Sequence, residues 1–167
     1  MIPPKPQSQN APGTSQAPLD FEGLALIAGG HSAFQLFWAA VELGVFAVLS
    51  RNPGLNRAQL GSALSLEPQP TRILMTGLTA LRLVIKDGDT FQNAAIVDQL
   101  FVPGKPESMV EVLGWQHHIV YPAMVDFCES LQRNTNVGLR HFRGSERHLY
   151  GRLAHEPKLQ LVAPGGF

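Results

Sequence analysis

Charge and sulfur are what this sequence has least of. Only 16% of its 167 residues are charged, and thirteen Lys and Arg offset thirteen Asp and Glu. That balance lacks the strong positive field of a general nucleic-acid binder. One cysteine, Cys128, excludes an internal disulfide and a thiolate metal cluster, and reads as a small buried hydrophobe. Phosphate-cradling and hydrolytic motifs are missing as well. There is no GxGxxG behind a strand, no P-loop, no HExxH and no G-x-S-x-G elbow. The late pair Gly165-Gly166 ends the sequence with no helix behind it.

Long apolar runs are also lacking. The longest unbroken ones, residues 36–41 and 43–49, fall well short of the roughly 20 residues that a bilayer span needs. Lys5 is followed by Pro, Gln, Ser and Asn rather than by an apolar core, so no secretory signal is read. A cytoplasmic protein with no membrane contact is the expectation. Of the six histidines, His117 and His118 are adjacent and point about 100° apart on a helix. His148 and His155 lie seven apart, two turns away on one face. Neither pair has metal-ligand spacing, and no metal is expected.

What the sequence does have is apolar bulk, 44% of all residues. Residues 1–18 hold five of the thirteen prolines among Gln, Ser and Asn, and read as a disordered arm. Asp20 is placed to cap a short helix through Ala28, broken by Gly29-Gly30. Residues 32–49 then form a helix apolar on every side, which must be covered on every side. A second copy of the chain is the expected cover, with Phe34, Phe37, Trp38, Val41 and Val45 at the interface. A central helix covered by the chain's own elements is the competing reading.

Next come a short helix capped by Asn56, a longer helix over residues 71–83 opened by Pro68 and Pro70, and a hairpin. The hairpin turns at Asp87-Gly88, where glycine tolerates the positive φ required. Helix, turn, helix, hairpin is the order of a winged helix-turn-helix, so the fold class expected is mainly α with a small β-hairpin wing. A small helix near residues 94–100 and a linker follow. Residues 107–133 read as one long helix, kinked at Pro122, whose ring removes a donor and frees the carbonyl of His118. A loop over residues 134–144 leads to a last helix near residues 145–155, capped by Ser145 and stopped by Pro157.

On the long helix, Trp115, His118, Tyr121 and Met124 carry aromatic bodies with polar tips and a flexible thioether. Such side chains suit a pocket for a planar organic ligand; a core stripe with satisfied imidazoles is the plainer alternative. Arg133, Arg140, Arg143, Arg147, Arg152 and Lys158 outweigh Glu146 and Glu156 near the end of the sequence. They form either a solvated face or a surface that meets another domain.

Several strings in this order resemble one family: "FQLFWAAVELGVFAVL", "NRAQLGSALSLEPQPTRILMTGLTALRLV", the wing "IKDGDTFQN", "VEVLGWQHHIVYPAMVDFCESLQRN" and "LYGRLAHEPKLQ". Together, from about residue 24 to 160, they resemble the N-terminal dimerisation domain of S-adenosylmethionine-dependent small-molecule O-methyltransferases of natural-product pathways. The resemblance implies a winged-helix core over residues 19–102 that interlocks two subunits instead of binding DNA. Residues 103–160 then form a kinked helix and linker helix leading to a separate catalytic domain, and residues 161–167 a tail. It further implies that Trp115, His118, Tyr121 and Met124 line the pocket of a small aromatic, phenolic substrate.

In that family a downstream Rossmann-like domain holds the methyl donor and the catalytic base. After "HEPKLQ" this sequence departs from the pattern, reading "LVAPGGF". No residue here is therefore assigned a catalytic or cofactor-binding role, and S-adenosylmethionine belongs to the complete enzyme. The reading is a homodimeric, pocket-lining portion of such an enzyme, truncated or split from its catalytic domain or subunit, and inactive alone. The alternatives are a stand-alone interaction or ligand-binding partner subunit and, less favoured, a winged-helix DNA-binding regulator. The second would want more cations than Arg72, Arg82 and a Lys86 offset by Asp87 and Asp89.

Overall fold

A computed structural model describes residues 18–156. The N-terminal arm up to residue 17, Pro157, Lys158 and the 161–167 tail lie outside the described residues. The chain divides into two compact units, Met1–His31 and Ser32–Phe167, and the first helix contributes to both. The architecture is mainly helical with one small antiparallel sheet.

Helix α1 (Phe21–Glu42) starts where Asp20 was expected to cap it: the Asp20 carboxylate accepts the Gly23 N–H at 2.8 Å. It does not stop at Gly29-Gly30. Neither glycine takes a positive φ, and a helical glycine costs only about 1 kcal/mol against alanine. The break falls instead at Gly44, whose φ of 75° needs no side chain. The single helix expected over residues 32–49 is thus the end of α1 plus α2 (Val45–Arg51).

Strand β1 (Leu55–Asn56) leads into α3 (Arg57–Leu64), which opens on a capping box. The Asn56 side chain accepts the Gln59 N–H at 3.0 Å, and the Gln59 side chain accepts the Asn56 N–H at 2.8 Å. Helix α4 (Pro68–Ala80) follows, opened by its prolines as expected. Strands β2 (Val84–Asp87) and β3 (Thr90–Asn93) form the hairpin, with Gly88 at φ 53°. The sheet order is β1-β3-β2, with Leu55 opposite Phe91 and Val84 opposite Asn93.

The main core lies between these elements. Phe46, Leu49, Leu60, Met75, Leu78 and Val84 are fully buried there. Phe37 enters it edge-on to Phe46 and to Phe101, at centroid distances of 5.9 and 4.6 Å. Gly77 admits Leu36: a Cβ at Gly77 would lie 2.7 Å from the Leu36 Cδ1.

After α5 (Ala95–Leu100), the expected long helix is present in pieces. Helix α6 (Val110–Trp115) runs into a π-helical turn (Gln116–Val120) and then α7 (Tyr121–Met124). The π turn sits where Pro122 would otherwise press on the His118 carbonyl. The Tyr121 N–H donates to the carbonyl of Gln116, five residues back, and the wider turn makes room for the ring. A second break at Val125-Asp126, with Asp126 at φ −96° and ψ 15°, precedes α8 (Phe127–Arg133).

A 3₁₀ turn (Val137–His141) and α9 (Leu149–Leu153) complete the described chain. The last helix is shorter than expected and Ser145 does not cap it. Arg152 explains this: its guanidinium donates to the carbonyls of Glu146 at 2.8 Å, Leu139 at 2.6 Å and Phe142 at 3.2 Å. The Glu146 carbonyl is engaged there, and His148, just before α9, is extended.

Among the described residues, α1 is the one helix long and apolar enough to cross a membrane by length and composition. It is 22 residues, about 33 Å. In the second unit its Trp38 and Ala40 are buried against the protein's own core, so that part of the helix is already covered.

Candidate functional site

An apolar groove of about 460 Å³ opens between the α6–α8 segment and the residues after it. Trp115, Ile119, Ala123, Met124, Phe127 and Leu131 form one wall; Leu139, Phe142 and Leu149 form the other. Asn134, Thr135 and Asn136 add amides and a hydroxyl to the lining, whereas the Ser130 hydroxyl donates to the Asp126 carbonyl at 2.9 Å and accepts the Val137 N–H at 3.1 Å. Ile119, Phe142 and Leu153 form the small core beneath. Apolar walls with a few polar groups are what an organic ring with one or two polar substituents needs.

Two features hold the walls in place. Gly138 lies so close to α7 that a Cβ there would sit 2.6 Å from the Ala123 carbonyl oxygen. Beside it, the Asp126 carboxylate, only 7% exposed, accepts from Arg140 Nε at 2.9 Å, from Arg140 Nη2 and from His141 Nε2 at 2.7 Å. Arg140 also reaches Glu129 at 3.1 Å. These bonds, chiefly that of Arg140, hold the Asp126 carboxyl below its ordinary range. They tie the start of α8 to the 3₁₀ turn.

The four side chains expected to share a pocket wall divide between two faces. Trp115 and Met124 line the groove. Tyr121 stacks on Phe34 of α1 at 5.5 Å, and His118 sits edge-on to Trp38 at 5.2 Å. His117 stacks on Trp38 at 4.6 Å, and burial holds its imidazole pKa low, with His118 adding to the effect and Glu42 opposing it. The π turn lies between Trp115 and Tyr121, and both His118 and Tyr121 pack on α1. The groove's second wall, from Leu139, Phe142 and Leu149, was not expected. Leu139 and Phe142 come from a segment read only as a loop, where the sole hint is two apolar residues three apart, and Leu149 comes from the start of the last helix.

The five residues expected at a subunit interface are covered largely by the chain itself. Val45 is fully buried, and Trp38 and Phe37 pack on His117 and on Phe46 with Phe101. Val41 lies against the core, and Phe34 stacks on Tyr121. The exposed apolar side chains are elsewhere: Phe21, Leu24, Leu26 and Ile27 in the first unit, Val125, Phe127 and Leu131 in the second. Cys128, expected to be buried, is exposed.

The basic residues near the end are mostly engaged within the chain. Arg133 pairs with Glu129 at 2.9 Å, Arg143 with Glu156 at 3.6 Å, and Arg140 and Arg152 are used as described above. Among the described residues no group of three or more His, Cys, Asp or Glu is arranged to hold a metal ion.

No protein-family model matches the chain. It is 40% identical over 149 residues to an L-tyrosine C(3)-methyltransferase of Streptomyces lavendulae, a match covering 89% of this chain and 41% of that protein. An acetylserotonin O-methyltransferase of Bos taurus is 26% identical, over 84% of this chain and 44% of its own length. Among solved structures, the S-adenosylmethionine-dependent methyltransferase SibL superposes with a TM-score of 0.78 at 33% identity, covering 86% of this chain and 42% of that one. Human N-acetylserotonin methyltransferase, solved with S-adenosylmethionine, shares the fold with a TM-score of 0.75 at 20% identity, over 89% of this chain and 44% of that one. The relatives are methyltransferases acting at carbon as well as oxygen. The chain spans about two fifths of the length of the relatives it matches.

Proposed function

We propose that this chain is the dimerisation and acceptor-lining portion of an S-adenosylmethionine-dependent methyltransferase acting on a small phenolic substrate. The reading joins two supports: relatives that are methyltransferases, and an apolar groove with an amide and hydroxyl rim. The groove carries the reading, because its walls suit the flat face of an aromatic ring and its rim suits a hydroxyl. A tyrosine C(3)-methyltransferase and acetylserotonin O-methyltransferases among the relatives favour a hydroxylated aromatic acceptor, methylated at oxygen or at ring carbon. The order α3, α4, β2, β3 supports a winged-helix core, used to join two cytoplasmic subunits and not to grip nucleic acid.

The described residues do not fit the methyl donor. The sheet is antiparallel, with strands of two to four residues, and among the described residues no parallel strand–helix–strand unit can seat a nucleoside. On this reading the donor and the base belong to a separate domain or subunit. This chain's part is alignment: holding the ring so that its reacting atom faces the donor side, the largest share of what such a transfer needs.

The test uses tryptophan fluorescence. There are two tryptophans, so Trp38→Phe leaves Trp115 alone to report on the groove. A panel of phenols should quench it saturably at the millimolar end of the affinity scale, because the groove is open to solvent on one side. Met124→Lys should weaken that quenching, and His155→Ala should leave it unchanged. Absence of saturable quenching, or equal effects of the two substitutions, would reject the pocket.

A further inference from the structure

A second site lies among α3, α4 and the hairpin, with no lining residue in common with the apolar groove. Three adjoining hollows of about 470, 410 and 300 Å³ run along this face. Arg57 lines all three, Arg72 the first two, and Lys86 the last two. All three side chains are exposed, and among the described residues none has a carboxylate partner in an ion pair. Arg72 Nε donates to the Gln69 side chain at 3.1 Å, which fixes the guanidinium and leaves its terminal nitrogens available. Lys86 Nζ rests on the Gly88 carbonyl. The contrast with the basic residues near α8 and α9 is informative, since those are mostly taken up by carboxylates and carbonyls.

Charge selects the ligand. Two guanidinium forks on one hollow match the oxygens of a phosphate, which each can bind through paired N–H donors. Ser62, Thr76 and Thr79 line the same groove, the Thr79 hydroxyl donating to the Met75 carbonyl at 2.8 Å, and Met75 and Phe91 add apolar lining in the middle hollow. Asp89 is the one carboxylate among the lining residues, at the hairpin end. With Asp87 in the same turn and Glu67 at the start of α4, it opposes the long polyanionic path of a duplex but leaves the Arg57–Arg72 end positive.

We propose that this groove binds a phosphate-bearing small molecule, its phosphate held between Arg57 and Arg72 and the remainder lying along Thr76 and Thr79 toward Lys86. The site is separate from the apolar groove and does not depend on the methyl-transfer reading.

Nuclear magnetic resonance titration of the full chain, at low ionic strength, tests it with two probes, inorganic phosphate and adenosine 5′-monophosphate. Both should shift the α3–α4 amides saturably. Tighter binding of the nucleotide assigns an organic phosphate, and equal binding assigns the free anion to the same residues. Arg57→Gln and Arg72→Gln, both on the surface and expected to fold, should each weaken binding about tenfold or more. Arg51→Gln, an exposed arginine outside the groove, should change nothing. The proposal is overturned if neither probe saturates, if Arg51→Gln weakens binding as much, or if short duplex DNA binds the same residues more tightly than the nucleotide.

Discussion

Gly138→Ala is expected to destabilise the protein by about 1–3 kcal/mol and to abolish ligand quenching of Trp115. The added methyl would lie 2.6 Å from the Ala123 carbonyl oxygen and 2.8 Å from the Ala123 Cβ. Both are on the rigid framework of α7, not at the end of a side chain that can swing aside. The 3₁₀ turn must then move away from α7, carrying Leu139 with it and parting the two walls. The Asp126–Arg140 bonds cross the same seam and resist the movement, so the strain is not relieved cheaply. Gly29→Ala is the matched control: nothing lies within 4 Å of its Cβ, and in a helix the change is neutral or stabilising. Chemical denaturation reads the first effect and fluorescence the second. Unchanged stability in Gly138→Ala would show that the turn does not rest on α7.

In solution the chain is expected to be a dimer of about 36 kDa, twice its 18.2 kDa mass. The reason differs from the one the sequence suggests. Residues 34–45 are largely covered by the chain itself, whereas Phe21 is 85% exposed, Ile27 70% and Leu26 66%. Side chains of this size each lose roughly 1.5–3 kcal/mol when left in water instead of buried, and a cluster of them marks a surface for a partner. Leu24→Asp and Ile27→Asp should therefore give a folded monomer. Phe37→Asp should unfold the protein instead, because Phe37 lies between Phe46 and Phe101. Light scattering with circular dichroism separates these outcomes. A monomeric mass for the unaltered chain at micromolar concentration would remove the dimer from the account.

Much of the first half was legible because its signals are local. Asn56 and Gln59 announce their cap within three residues, Pro68 and Pro70 open α4, and Asp87-Gly88 fixes the hairpin. Strand β1 was missed because two residues carry no periodicity; only its pairing with Phe91 and Thr90 makes it a strand. Gly44 was missed as a break because apolar residues continue on both sides of it. Around the groove, a break at Pro122 is legible from its ring, but its form, a π turn that adds a residue, is not. Arg152 reaches three carbonyls up to thirteen residues away, a nonlocal demand that no window of sequence shows. The second wall, built from Leu139, Phe142 and Leu149, depends on the same long-range ties.

We propose a division in which this chain supplies the acceptor side of a methyltransferase and another domain or subunit supplies the donor side. Isothermal titration of the purified chain with S-adenosylmethionine tests that division most directly. No saturable heat is expected, in a sample whose Trp115 fluorescence still responds to phenols. Saturable binding at micromolar S-adenosylmethionine would contradict it and place a donor site within these 167 residues.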